Sequence, residues 1–208
     1  RHIGTYELLT GAAPLIEVLT DTLVPGLRVS PSTLDLLGAE IELIELPRRE
    51  HRLADALTAA RGSSGLKFDY VLIDCPPALN ILTVNALTAA DSVLIPMQCE
   101  YYALEGLSGL VGTIEQIRDS VNPKLQIEGI LRTMFDPRNN LSNDVSAQLI
   151  EHFGERVFRT IIPRNVRLAE APSFGVPAML HDKDSRGALA YLALAGEMAR
   201  RAEEGTFP

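Results

Sequence analysis

At 208 residues, 46% hydrophobic and 22% charged, the chain is long enough for one soluble globular domain with a sizeable core and short for two. Its formal net charge of −8 argues against a nucleic-acid partner if spread evenly, and no apolar run approaches the roughly 20 residues that cross a bilayer. Two cysteines, Cys75 and Cys99, are too few for a disulfide framework or a four-ligand zinc site.

The opening Arg1-His2-Ile3-Gly4 is neither a signal peptide nor an initiator methionine, and reads as a start inside a longer reading frame. A first short strand is expected at 27–30. Leu53, Ala56, Leu57 and Ala60 recur at helical spacing before Gly62, a plausible helix stop. Residues 70–74 (Tyr-Val-Leu-Ile-Asp) form a short apolar run ended by Pro76-Pro77, the pattern of a buried parallel strand. Residues 92–96, 126–131 and 157–162 predict three more strands. Leu104, Leu107, Leu110, Val111, Ile114 and Ile117 lay one apolar stripe on a helix between the first two of these. The segment 185–202 predicts a last helix with Leu189, Leu192, Leu194 and Met198 inward. Strands alternating with helices imply an α/β fold, a mostly parallel sheet with helices on both faces, because parallel strands need long crossovers. No repeat or linker divides the chain, so residues 1–208 read as a single domain.

The acidic excess is confined to the first part. Residues 1–131 carry 9 Lys/Arg against 17 Asp/Glu, whereas residues 132–186 carry 8 against 7. Nearly all the bases of the second block are arginine: Arg132, Arg138, Arg156, Arg159, Arg164, Arg167 and Arg186. Two roles remain open for this block, a phosphate-facing surface and a solvated face of mixed charge.

Ligands of an open parallel sheet bind beyond the carboxyl ends of its strands. After the first apolar run comes Asp74, which fits either a Walker B carboxylate that helps hold Mg²⁺ or a strand-end acid capping the next turn. After the run at 157–162 comes Pro163-Arg164-Asn165-Val166-Arg167, rich in groups that can recognise a base edge and phosphates. Cys75 and Cys99 each follow an apolar run and read as small, buried, reduced thiols in a reducing cytoplasm. His2, His51, His152 and His181 show no ligand spacing and read as surface or capping residues.

Three long segments carry a specific resemblance: 68–77 (Phe-Asp-Tyr-Val-Leu-Ile-Asp-Cys-Pro-Pro), Gln98 through Leu107, and Ile162 through Ser173. Together with 38–43 and 184–188, they resemble, in order and spacing, the signature stretches of the ParA/Soj chromosome- and plasmid-partition proteins. The resemblance covers essentially the whole chain. It implies a P-loop NTPase-like fold of the deviant Walker class and a nucleoid-associated cytoplasmic protein. Members bind ATP with Mg²⁺, form an ATP-bound homodimer, coat DNA without sequence preference and hydrolyse ATP when a ParB/Spo0J-type partner stimulates them. By motif, Asp74 resembles the Walker B carboxylate, meeting Mg²⁺ through water. Pro163, Arg164 and Asn165 resemble the loop that cradles adenine, with Met134 nearby. Arg138 and Arg167 resemble arginines that contact DNA phosphate, and Arg186 is a further candidate for that surface.

The sequence also departs from the family pattern. Its three lysines, Lys67, Lys124 and Lys183, follow Leu66, Pro123 and Asp182, so no Gly-Lys-Ser/Thr phosphate loop occurs. The first strands and the P-loop of the family pattern are therefore expected to be missing. The chain alone is then expected to bind ATP weakly or not at all and to be hydrolysis-deficient, since phosphoryl transfer is mostly positioning and electrostatic stabilisation. A second reading is a stand-alone DNA- or partner-binding module without ATPase activity. The acidic ending Glu203-Glu204-Gly205-Thr206-Phe207-Pro208 is unlike the basic amphipathic helix of related membrane-attached ATPases, so no membrane partner is expected.

Overall fold

The computed structural model describes residues 3–63, 66–76 and 78–203. His2, Pro77 and the tail 204–208 lie outside the described residues. The chain forms two compact units, Arg1–Ala90 with Ile117–Leu125, and Asp91–Gln116 with Gln126–Pro208.

The first unit holds helices α1 (Thr5–Thr10) and α2 (Leu15–Val18), strands β1 (Thr20–Asp21) and β2 (Arg28–Val29), and helices α3 (Leu36–Glu42), α4 (Arg52–Ser63) and α5 (Ile81–Ala89). Glu7 folds back to accept the Gly4 N–H at 2.8 Å, and Gly11 at φ 83 closes α1 in the left-handed region that glycine adopts without strain. Leu8, Ala13, Leu15, Val18 and Ala60 form one buried cluster; Leu9, Ala39 and Leu43 form another. Asn85 is fully buried, and its amide is satisfied by the Leu53 N–H and the Arg49 and Ile81 carbonyls.

Two strand expectations change here. The short strand near 27–30 exists as β2, but it pairs antiparallel with β1 rather than joining a parallel sheet. The run 70–74 is not a strand: among the described residues, 66–76 form neither strand nor helix. Tyr70 is 64% and Leu72 84% exposed. A strand is defined by its ladder, and no described strand pairs with this run, so Tyr70, Val71 and Leu72 stay in solvent while Ile73 is half-buried. Cys75 is likewise exposed, against the expectation of a buried thiol, whereas Cys99 is buried. Helix α4 runs one residue past the expected stop at Gly62.

The second unit is built on a parallel sheet ordered β3 (Ser92–Gln98), β4 (Gln126–Phe135), β5 (Val157–Pro163). Between them run α6 (Tyr101–Ser120) and α7 (Asn140–Phe153), and after them α8 (Val166–Glu170), α9 (Ala178–His181) and α10 (Arg186–Glu203). Successive side chains of β4 point to opposite faces. Leu131 joins Phe158, Ile162 and Leu194 of α10 in one cluster, while Arg132 reaches Ser146 of α7 at 2.9 Å. Helices thus cover both faces, as expected for this α/β class. On α10, Leu194 is buried and Met198 packs against the same cluster, but Leu189 and Leu192 are about half exposed. They fall on the other side of the helix and line an open groove of about 620 Å³ with Arg159 and Arg200.

The ladder between β4 and β5 is irregular. Ile130 pairs with Val157 and Arg132 with Ile161, so two steps on β4 face four on β5. Side chains satisfy the polar groups this leaves over. Arg132 Nη2 donates to the Phe158 and Arg159 carbonyls at 2.9 and 3.3 Å. The Arg159 and Thr160 N–H groups donate to the Glu197 carboxylate at 2.9 and 2.8 Å. Arg201 pairs with Glu197 at 3.1 Å and lies 4.1 Å over the Phe158 ring.

Gly129 is what lets Phe158 sit there. A Cβ at this position would come within 2.7 Å of the ring and 2.8 Å of the Arg156 carbonyl. Gly129→Ala is expected to destabilise the chain by about 1–3 kcal/mol in denaturant unfolding; an unchanged midpoint would show that the ring does not hold this position.

Burial pushes the Glu197 carboxyl up, but the Thr160 side chain, then the Thr160 and Arg159 N–H bonds and the charge of Arg201, outweigh it and hold it below the usual glutamate range. A lowered folded pKa stabilises above the ordinary value and loses that contribution as pH falls through the folded one. Glu197→Gln removes one of two acceptors, costs about 1–3 kcal/mol near neutral pH, and should flatten the acid limb of a stability-versus-pH curve. An acid limb as steep as that of the parent chain would contradict this.

Candidate nucleotide and phosphate site

The carboxyl ends of β4 and β5 converge on one loop cluster. Met134, next to last in β4, has φ 51, a left-handed conformation that costs a non-glycine residue on the order of 1–3 kcal/mol. The residue is 43% exposed. One residue on, the Phe135 carbonyl accepts the Arg164 N–H at 3.0 Å, which fastens the loop after β5 to the end of β4. Asn165 caps α8 by accepting the Arg167 N–H at 2.9 Å, and its Nδ2 has no partner among the described residues. Met134, Pro163, Arg164 and Asn165, four of the residues singled out from sequence, are therefore neighbours.

The turn after β4 is ordered by its own polar groups. Asn139 caps α7 by accepting the Leu141 N–H at 3.0 Å. Asp136 accepts three hydrogen bonds from Arg138: from Nε at 2.9 Å, from Nη2 at 2.7 Å and from the backbone N–H at 3.0 Å. The Arg138 side chain is 87% exposed, the Asp136 side chain 26%. The Arg138 side-chain bonds foremost, then its backbone N–H and the charges of Arg138 and Arg164, hold the Asp136 carboxyl down to about 2.

Arg167 is also paired, with Glu170 at 2.9 Å and Asp182 at 3.3 Å. His181 stacks on Phe174, and its Nε2 lies 3.6 Å from Glu170. Arg186 opens α10 and is exposed, with no ion pair among the described residues. A cation there gains nothing from the helix dipole, which favours anions at that end. The pairing acids Asp136, Glu170 and Asp182 were not among the sequence candidates. An acid two residues before Arg138, or three after Arg167, was the available signal.

Asp74 belongs to the first unit, where it is exposed and makes no hydrogen bond or ion pair among the described residues. No group of three or more His, Cys, Asp or Glu side chains that could hold a metal occurs among the described residues. The ends of β4 and β5 offer an exposed methionine, an Asn165 amide nitrogen with no partner among the described residues, and a fixed loop. They do not by themselves supply a triphosphate–magnesium cradle, for which a lone carboxylate without lysine or glycine-loop amides is insufficient.

No described helix is long and apolar enough to cross a membrane. Residues 2–127 match the family described as "AAA domain". The chain is 51% identical to the chromosome partitioning protein ParA of Caulobacter vibrioides over 201 residues, covering 97% of this chain and 74% of that protein. It is 50% identical over 194 residues to the sporulation initiation inhibitor protein Soj of Bacillus subtilis, covering 93% and 75%. The fold is similar to cobyrinic acid a,c-diamide synthase of Mycobacterium smegmatis, solved with a bound ATP analogue and magnesium. The TM-score is 0.80 and the identity 33%, over 98% of this chain and 74% of that one.

Proposed function

Because the chain belongs to the ParA/Soj family of chromosome-partitioning ATPases, we propose that it works in DNA segregation and supplies the adenine end of an ATP site together with a DNA-phosphate surface. The observation that carries this reading is the Arg164 N–H bond to the Phe135 carbonyl beside the left-handed Met134. Together these hold Pro163, Arg164 and Asn165 against the end of β4, where a base can stack on the thioether and meet the Asn165 amide. ATP would supply the energy of the partition cycle, and Asp74 is the residue that would meet Mg²⁺, through water. Arg138, Arg167 and Arg186 face DNA. Such contacts neutralise backbone phosphates without reading bases. An ATP-dependent homodimer, a ParB-type partner and a nucleoid-associated, cytoplasmic location complete the proposal, with residues 1–208 belonging to one domain of that ATPase fold.

These 208 residues contain no Gly-Lys-Ser/Thr loop, so the chain assayed alone should release no phosphate from ATP above the buffer rate, with or without a ParB-type protein. ParB-stimulated release would overturn that. DNA retention tests the surface separately. Replacing Arg138 and Arg167 together with alanine should weaken retention at low salt and flatten the slope of log K against log salt by about 2. Unchanged retention would remove the DNA assignment. DNA binding without nucleotide binding would favour the second reading, a stand-alone DNA-binding module.

A further inference from the structure

We propose that Asp136 is a charge brake on the DNA surface: by chelating Arg138 it sets how tightly, and with what salt dependence, the chain holds duplex DNA. This rests on the DNA-surface reading above. Of the three arginines assigned to phosphate, Arg138 is bound edge-on by Asp136 and Arg167 is flanked by Glu170 and Asp182. Only Arg186 is unpaired among the described residues. A phosphate reaching Arg138 comes within one Debye length, about 8 Å at physiological ionic strength, of the Asp136 carboxylate too. The two charges act on it with opposite sign.

Besides Arg138, the charge of Asp136 feels that of Arg164, with which it forms no ion pair among the described residues, and it holds no other part of the fold. Asn139, not Asp136, caps α7, and the bond that fastens Arg164 uses the Phe135 carbonyl. The one backbone bond Asp136 accepts, from the Arg138 N–H at 3.0 Å, is equally available to an asparagine oxygen. The pair is also asymmetric. Three donors and partial burial hold the carboxylate, whereas the guanidinium is 87% exposed with Nη1 unused. The arginine is thus the partner free to leave for a stronger anion, and DNA, dense in phosphate, competes for it where an isolated anion does not.

Asp136→Asn keeps the loop and removes the negative charge. Anisotropy titrations of a short labelled duplex of mixed sequence would compare the parent chain, Asp136→Asn, Arg138→Ala and the double variant across a salt series, with circular dichroism as the check on folding. Asp136→Asn should bind about five-fold tighter at low salt, with a slope steeper by about 1, and the double variant should match Arg138→Ala. If Arg138→Ala weakens binding while Asp136→Asn leaves it unchanged or weaker, the carboxylate positions the guanidinium instead, and the brake is wrong while the DNA surface stands. A gain that persists in the double variant would also overturn it, since the effect would then not pass through Arg138. If the parent chain shows no salt-dependent binding, or Arg138→Ala does not alter it, the DNA reading itself fails and takes this inference with it.

Discussion

The second unit depends on how β5 is held where its ladder to β4 slips. Four steps of β5 stand opposite two of β4, and there the Phe158 and Arg159 carbonyls and the Arg159 and Thr160 N–H groups turn to side chains for their hydrogen bonds. For the buried Phe158 carbonyl, a bond left unmade would cost on the order of 1–3 kcal/mol. Arg132 satisfies the carbonyls from one face and Glu197 the amides from the other. The guanidinium is buried with no carboxylate in direct contact, and burial lowers its pKa. Its compensation comes from the Ser146 hydroxyl and the strand carbonyls, with the negative Glu197 across β5 adding to it. Through this brace the direction in which β5 leaves the sheet is settled, and with it the placement of Pro163 through Asn165.

The electrostatics of the site grow from that placement. The loops after β4 and β5 are fastened by main-chain and capping bonds, which leave their charged side chains to pair locally. Arg138 finds Asp136, and Arg167 finds Glu170 and Asp182. Pairs this exposed contribute little to stability. Their consequence is for the field in front of the loops: in each of these pairs the arginine is more exposed than its acid, as the 87% and 26% exposures of Arg138 and Asp136 illustrate.

Much of the second unit was legible in the residues. The apolar runs at 92–96, 126–131 and 157–162 are strands, and the stripe from Leu104 to Ile117 is a helix, because period and length suffice to separate these cases. Helix α7 escaped notice because Ser142 and Ser146 sit on its buried face, where a hydropathy pattern sees interruptions. On α10, Leu189 and Leu192 share the inward spacing but lie half exposed, since periodicity specifies a stripe and not its width. At the site, the segment Pro163–Asn165 was recognisable by its chemistry, whereas the left-handed Met134 was not: nothing in a methionine announces φ 51.

The clearest division lies at 70–74. Local order along the chain determined that this run is apolar on both faces and closes with Asp74, and that the chain carries the signature stretches of a partition ATPase. It could not determine that the run would be a strand, because a ladder needs a second backbone alongside, and among the described residues none pairs with it. The same reason separates the rest. Composition and spacing are properties of neighbours in sequence, and they assign helices, strands and recognition loops. The slip between β4 and β5, the Arg132–Glu197 brace and the capture of Arg138 by a better covered carboxylate are decided by which groups packing leaves without water, and only the folded chain shows those.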